Sequence, residues 1–401
     1  MIYHFIFLIG VFILLIYVER VFLHLNRFTP VFCLTVALMA VVIFASVLGP
    51  YLGFIPISEG AIFIWILGIV FFWLGGLIPV LVTPRRVREH ENNGLKFSHL
   101  RPAFMNFSCA LMVAIALIGL RSMIASGGGD DLEKGEYGTG GLIGHVNGLL
   151  MGYFIFYVLS LKFDLGISKK LAWFFIIIIM FLKLVTGIRG NIVVMFLGAY
   201  IALALTKSIR LSPKSLIYPA VGAVAIFVGS SLIGSQELSD YLFYYVCFYI
   251  SSGVLGLSAI MSNHEVAIGK HPEFITAFFH NLKIAIFGGG EKYIDVVLPD
   301  FVTCTTSEAP YPFTCNVYTM IGEVYVNCGY AIGCLYMFIL GMYSYILFLN
   351  SHKSVFITCA YAFVGGCIML GFFGQYVLMV YFYTVQFFFL FLHFISRISY
   401  K

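Results

Sequence analysis

Apolar residues in this chain come in long unbroken runs, separated by short polar clusters. A helix crossing the hydrocarbon core of a bilayer needs about 20 mostly apolar residues. Runs of that kind fall at Ile2–Val18, Val31–Phe54, Ala61–Thr83, Ala103–Ile124, Leu142–Leu161 and Leu171–Gly187. Others follow at Asn191–Thr206, Leu216–Gly234, Gly329–Leu349, Val355–Gly374 and Tyr376–Ile395. The pattern predicts an all-α, polytopic integral membrane protein of 11 spans (11–13 with the segments discussed below), forming a single transmembrane domain over 1–401. Ile2–Val18 lacks a basic leading region and a small-residue cleavage site, so it reads as a span and not as a secretory signal.

The basic residues orient the spans, because cytoplasmic loops are enriched in Lys and Arg. The loop Pro84–Arg101 carries Arg85, Arg86, Arg88, Lys96 and Arg101, which places it inside. Alternation then puts Arg20, Arg27, Lys162, Lys169, Lys170, Lys207, Arg210, Lys214, Lys353, Arg397 and Lys401 inside as well. Of the acids, only Glu19, Glu89, Glu91 and Asp164 share that side. The resulting topology has the N-terminus outside and the C-terminus inside.

Tyr241–Met261 is uncharged and long enough to cross. A single crossing there would turn Lys353, Arg397 and Lys401 outward, so it is rejected. The segment lies in the interface, re-enters, or pairs with Phe274–Gly290 as two extra spans. Two outward segments are sizeable: the glycine-rich Ser126–Gly141, with Asp130, Asp131, Glu133 and Glu136, and the long stretch 235–326. Loops beyond about 12–15 residues are usually functional or disordered. The second is rich in Tyr, Phe and Gly and reads as a large folded loop with helical or re-entrant parts. Function is therefore expected at the outer leaflet.

Composition narrows the classes further. Hydrophobic types make up 61% of the 401 residues and charged types 10%, with 23 Lys and Arg against 18 Asp and Glu. A soluble globule, a disordered chain and a nucleic-acid binder are all excluded by these values. Of the nine cysteines, most fall in apolar runs, where a small apolar side chain is sufficient explanation. Cys304 and Cys315 instead bracket the outward loop Thr305–Thr314, where a disulfide would fix a Pro-containing hairpin. Two free thiols, or pairing of Cys315 with Cys328, remain the alternatives. No Cys/His spacing suggests a metal site.

An ionisable residue inside a bilayer needs a reason to be there. Arg189 stands in Thr186-Gly187-Ile188-Arg189-Gly190, where flanking glycines let a backbone approach a ligand and a guanidinium can receive phosphate. Arg121 and Lys183 sit near the outward ends of two other spans, as anchors, snorkelling side chains or further anion ligands. His280 and Lys283 are three apart in an apolar helical stretch, hence on one face, as a base beside a cation.

Several stretches together resemble the Wzy-type O-antigen polymerases, membrane glycosyltransferases with a GT-C-like fold. The resemblance rests on the arginine–glycine turn 186–190, on Phe248-Tyr249-Ile250-Ser251-Ser252-Gly253, and on His271-Pro272-Glu273-Phe274 before an apolar helix. It also rests on Asn316-Val317-Tyr318-Thr319 leading to Asn327-Cys328-Gly329 and a glycine-rich span. Relatives commonly carry Asp-Phe-Gly where Asn327-Cys328-Gly329 stands. The first five spans match only in layout.

The resemblance implies an enzyme of the bacterial inner membrane, acting at its periplasmic face without cofactor or metal. It would join undecaprenyl-diphosphate-linked oligosaccharide repeat units by moving the growing glycan onto a new lipid-linked unit. A chain-length-regulating co-polymerase of the Wzz type and a flippase are the implied partners beside membrane lipid, and nucleic acid is not. Arg189, Arg121, Lys183 and Lys283 are then expected to bind the diphosphate. His280, Glu323 and Glu265 are the candidate bases, and Tyr249, Asn316 and Tyr318 the candidate substrate ligands. An O-antigen ligase is the competing enzyme reading, and a lipid-oligosaccharide flippase the transporter reading.

Overall fold

The computed structural model describes residues 2–25, 28–84, 102–125, 141–185, 189–208, 242–262, 268–287 and 301–398. Glu265, His264, the acidic cluster at 130–136, the run Leu216–Gly234 and the basic loop after Pro84 lie outside the described residues. The α-helices are α1 (Ile2–Val21), α2 (Pro30–Leu52), α3 (Glu59–Val82), α4 (Pro102–Ala125), α5 (Gly141–Ser160) and α6 (Lys169–Val185). They continue with α7 (Arg189–Leu205), α8 (Leu242–Ser262), α9 (Ala277–Phe287), α10 (Met320–Asn350), α11 (Val355–Met369) and α12 (Val380–Ile398). Two short strands, β1 (Val302–Thr303) and β2 (Thr314–Cys315), form an antiparallel pair with Val302 opposite Cys315. Among the described residues, seven helices are long and apolar enough to cross a membrane, and Gly144–Ser160, Gly190–Leu205 and Tyr381–Ser396 are shorter apolar helices.

The chain folds into two compact units. One comprises Met1–Glu89, Ser239–Ile346 and Ile368–Leu378; the other comprises His90–Leu238, Leu347–Cys367 and Met379–Lys401.

In the first unit, α2 begins at Thr29, whose hydroxyl accepts the Phe32 N–H at 3.3 Å, with Pro30 in the first turn where its missing N–H is harmless. It ends at Gly53, which takes a left-handed conformation (φ 70°) that a side chain would strain. Ser58 caps α3 through the Ala61 N–H at 3.2 Å. Helices α3 and α10 touch backbone to backbone. A Cβ on Gly75 would sit 1.9 Å from the Phe338 carbonyl oxygen, and one on Gly341 would sit 1.9 Å from that of Phe72. Only glycine fits at either position.

Helix α10 is broken. Gly329 has φ 79° and ψ 173°, far from helical values, which ends one half-helix and starts another. Such a break frees carbonyls that a membrane offers no water to satisfy. The segment before α9 supplies the donors: Gly269 N–H reaches Val326 O at 2.8 Å, and His271 N–H reaches Asn327 O at 2.8 Å. Phe274 then packs on Val324 and Cys328.

Helix α8, which covers the uncharged stretch at 241–261, is long and apolar enough to cross. Phe248 packs edge to face on Phe54, just beyond α2, and Met261 covers Gly60 at the start of α3. In the stretch Phe274–Gly290 the described residues form a short 3-10 turn, Pro272–Thr276, followed by α9, and 288–290 lie outside the described residues.

The β1–β2 hairpin closes over the same end. Ile55 N–H donates to Cys304 O at 3.1 Å, and Thr306 N–H donates to Gly53 O at 2.8 Å. Phe313 stacks on Phe248 with ring centroids 4.7 Å apart.

The second unit is organised around α5, which is buried along most of its length. Gly148 and Gly152 let α12 approach at Tyr381 and Phe389, so these two helices run parallel. Gly198 of α7 meets Ile155 of α5. Tyr157 stacks on Phe175 at 4.8 Å while Lys183 reaches Asn147, so α6 runs antiparallel to α5. Tyr153 O–H donates to Ser108 on α4 at 2.7 Å.

Candidate functional site

Among the described residues, the first unit buries two carboxylates. Glu323 lies in the first turns of α10 and is 7% exposed. Thr319 caps that helix: its hydroxyl oxygen accepts the Gly322 N–H at 3.1 Å and the Trp65 indole N–H at 3.0 Å. Backbone groups of Tyr318 and Gln375 hydrogen-bond the Glu323 carboxylate. The Asn327 amide donates to the Glu323 carbonyl at 2.7 Å, and Gln375 donates to Met320 O at 3.5 Å. Opposite the carboxylate is bare backbone, since a Cβ on Gly374 would stand 3.6 Å from Glu323 Oε1. Helix α8 brings Gly253 against the Phe372 and Phe373 carbonyls, and Tyr249 stacks on Phe373 at 4.7 Å. Ser251 on the same helix is buried with its hydroxyl unpartnered.

Aromatic rings extend from this cluster toward the hairpin. Tyr245 and Phe248 flank Phe313, and Tyr244 meets Tyr311 edge-on at 5.6 Å. The second buried carboxylate, Glu19 in the last turn of α1, accepts from Thr29 Oγ1 at 2.5 Å and from the Tyr345 hydroxyl. The sequence places Glu19 among the acids of the inward side; the structure buries it to 1% exposure. The clue available was a lone acid one turn inside an apolar helix.

The sequence-predicted residues of this unit divide. Tyr249, Tyr318 and Glu323 come together, with Tyr318 fully buried beside Gly256 of α8. Asn316 is exposed next to them. His280 and Lys283 share α9, and both are exposed. Cys304 and Cys315 face each other at the hairpin, Sγ to Sγ 3.0 Å, while Cys315 also lies 3.5 Å from the Ser252 carbonyl. Their shared hydrogen bond pulls the Cys315 thiol below the usual range and, with burial, holds Cys304 protonated. Cys328 lies instead against the His271 carbonyl at 3.6 Å. Glu273 is held below the usual carboxylate range by its own backbone N–H and by the His271 ring 3.3 Å away.

The second unit gathers its polar groups at one end, where α5, α7 and α12 begin and α4 and α6 finish. Lys183 is 1% exposed and donates from Nζ to Asn147 O at 2.9 Å. Asn191 is 2% exposed, and among the described residues its Oδ1 has no partner. His145 Nδ1 pairs with Thr384 Oγ1 at 2.6 Å. Arg121 is exposed at this end of α4, and Arg189 is the first residue of α7, its side chain outside the described residues. Three cations expected to bind diphosphate therefore belong to one end of one unit. Asn147 and Asn191 were missed, although each interrupts an apolar run. Among the described residues, no group of three or more His, Cys, Asp or Glu could hold a metal.

A helical chain with several such apolar helices is a multi-pass membrane protein. Residues 53–401 match the family model DUF6337, described as a family of unknown function, and the chain belongs to that family. No curated protein and no solved structure matches it.

Proposed function

We propose that the protein polymerises undecaprenyl-diphosphate-linked oligosaccharide repeat units at the periplasmic face of the inner membrane. The observation that carries the reading is Glu323, a buried carboxylate at a capped half-helix, with bare backbone before it and a Tyr- and Phe-rich wall beside it. Aromatic faces suit sugar rings, and a carboxylate suits a sugar hydroxyl. The helix break at Gly329 and the β1–β2 hairpin fall in the stretch whose sequence resembles Wzy-type polymerases, and the orientation expected from the basic loops would turn this end outward. No nucleotide sugar is available there, so the donor must be lipid-linked.

In the proposed step, a hydroxyl of the new repeat unit attacks the anomeric carbon of the growing chain. The bond from that carbon to the diphosphate oxygen breaks, and undecaprenyl diphosphate leaves with the electron pair. The hydroxyl proton passes to Glu323, which takes precedence over the exposed His280 as base. Negative charge grows on the diphosphate, and fixed cations stabilise it. Lys283 is the first unit's candidate for that role, and Arg189, Arg121 and Lys183 are the cations that the sequence resemblance assigns to it. Arg189 is preferred because a guanidinium can bind phosphate through two parallel N–H groups.

The test is direct. Purified full-length protein in lipid nanodiscs, given a defined lipid-linked repeat unit, should produce dimers and longer chains. Unchanged substrate under conditions where the protein is folded would overturn the reading. Transfer of polymer to lipid A core, without chain growth, would replace it with the ligase reading.

A further inference from the structure

The second unit has a groove that the proposed chemistry does not use. It runs along α5, α6 and α7, encloses about 670 Å³, and is lined by Phe154, Trp173, Ile177, Phe181, Leu184 and Phe196 among others. Its wall is carbon throughout except at one end, where Lys162 stands. On α6 the inward positions Ala172, Phe175, Ile176, Ile179 and Leu182 pack into the unit. Trp173, Ile177, Phe181 and Leu184 are all at least half exposed, so the groove opens sideways. From Trp173 to Leu184 the helix rises about 16 Å, which is one leaflet's share of a hydrocarbon core about 30 Å thick.

The charged end is equally specific. Lys162 follows α5, and Lys169 and Lys170 open α6, all three exposed. Among the described residues none of the three makes an ion pair, and the nearby Asp164 carboxylate accepts the Gly166 N–H at 3.0 Å. Trp173 lies one turn from this basic end, the depth at which indoles settle in a membrane interface. This is the basic, inward end of the unit, opposite the one that carries Lys183 and Asn191.

We propose that the groove holds an acyl chain of an anionic glycerophospholipid, with its phosphate met by Lys162, Lys169 and Lys170. A zwitterionic lipid would fill the same groove without gaining from three exposed lysines, whereas an anionic one gains about fivefold in occupancy per lysine near the surface. The site does not depend on the polymerase reading.

Brominated acyl chains quench indole fluorescence on contact, and Trp173 is a built-in reporter. Full-length protein would be reconstituted in phosphatidylcholine vesicles containing increasing brominated-chain phosphatidylglycerol or brominated-chain phosphatidylcholine. The Trp173 signal is taken as the difference from Trp173→Phe. Phosphatidylglycerol should quench it at a mole fraction at least fivefold lower than phosphatidylcholine. Lys162→Gln, Lys169→Gln and Lys170→Gln combined should bring the two lipids within twofold. These lysines are exposed, so folding should survive, and a monodisperse elution profile would check it. Equal quenching by the two lipids in the wild type, or a preference that survives the triple substitution, would overturn the proposal. Loss of polymerising activity would leave it standing.

Discussion

The two units solve the problem of polar groups in an apolar solvent in opposite ways. The first interrupts its helices and spends the freed backbone on loops, so that polar side chains sit beside irregular chain. Glu323 at the start of a half-helix, Gln375 after α11 and Gly329 within α10 all follow this pattern. In the second, α5, α7 and α12 run side by side as apolar rods, and polar groups collect at one end, as Lys183, Asn147, Asn191 and His145 do. A broken helix can present a carboxylate with backbone donors around it, whereas a bundle end presents cations and amides. The difference teaches where to look for proton transfer and where to look for anion binding.

That division can be broken by substitution. The largest effect is expected at Glu323. Glu323→Gln should lower polymer formation about 10²- to 10⁴-fold, the usual share of a general base, with protein levels unchanged in immunoblots. Normal turnover would remove the carboxylate from the chemistry. Arg189→Ala should cost about 10²- to 10³-fold, the range for losing one charge-stabilising donor, and Arg189→Lys should restore little of it. Chain-length analysis of surface polysaccharide reads both, and wild-type chain lengths from Arg189→Ala would end its assignment.

Stability tests the packing of the first unit. Gly341→Leu forces a side chain into the Phe72 carbonyl, and overpacking of this kind costs about 1–3 kcal/mol or more. A lowered thermal midpoint in detergent is expected, while a neutral result would mean that α3 and α10 can separate freely. Thr319→Val removes a cap and the Trp65 partner together, for about 1–2 kcal/mol. Intrinsic fluorescence should report it through a shifted Trp65 emission, and an unshifted spectrum would show that the indole finds another acceptor. Sharpest in readout is the cysteine pair. Protein isolated without reductant should be about 2 Da lighter than the reduced chain, and Cys304→Ser should abolish the difference; an unchanged mass would leave two thiols.

Much of the helical layout was legible, because apolar runs with basic ends are the strongest signal a membrane chain carries. The bounds of α2, α3, α4, α5 and α6 fall close to the predicted runs. The Cys304–Cys315 neighbourhood was legible from two cysteines around a Pro-containing loop. The break in α10 was not, because a run read as starting at Gly329 hides a half-helix that precedes it. Asn191 and Gln375 escaped notice because one amide in an apolar run has no periodicity. Their importance comes from burial, which only packing reveals.

The contact between Glu19 and Tyr345 has a consequence for the making of the protein. Its partners are 326 residues apart in the chain. At about 5–20 residues per second, the ribosome needs on the order of 15–65 s between them. Thr29 emerges almost at once and offers Glu19 its first donor, but the second arrives only after most of the chain has been inserted. The opening hairpin of α1 and α2 must therefore wait in the bilayer with its acid half-satisfied. A nascent chain stalled before Tyr345 should be a better substrate for membrane quality-control proteases than one stalled just after it.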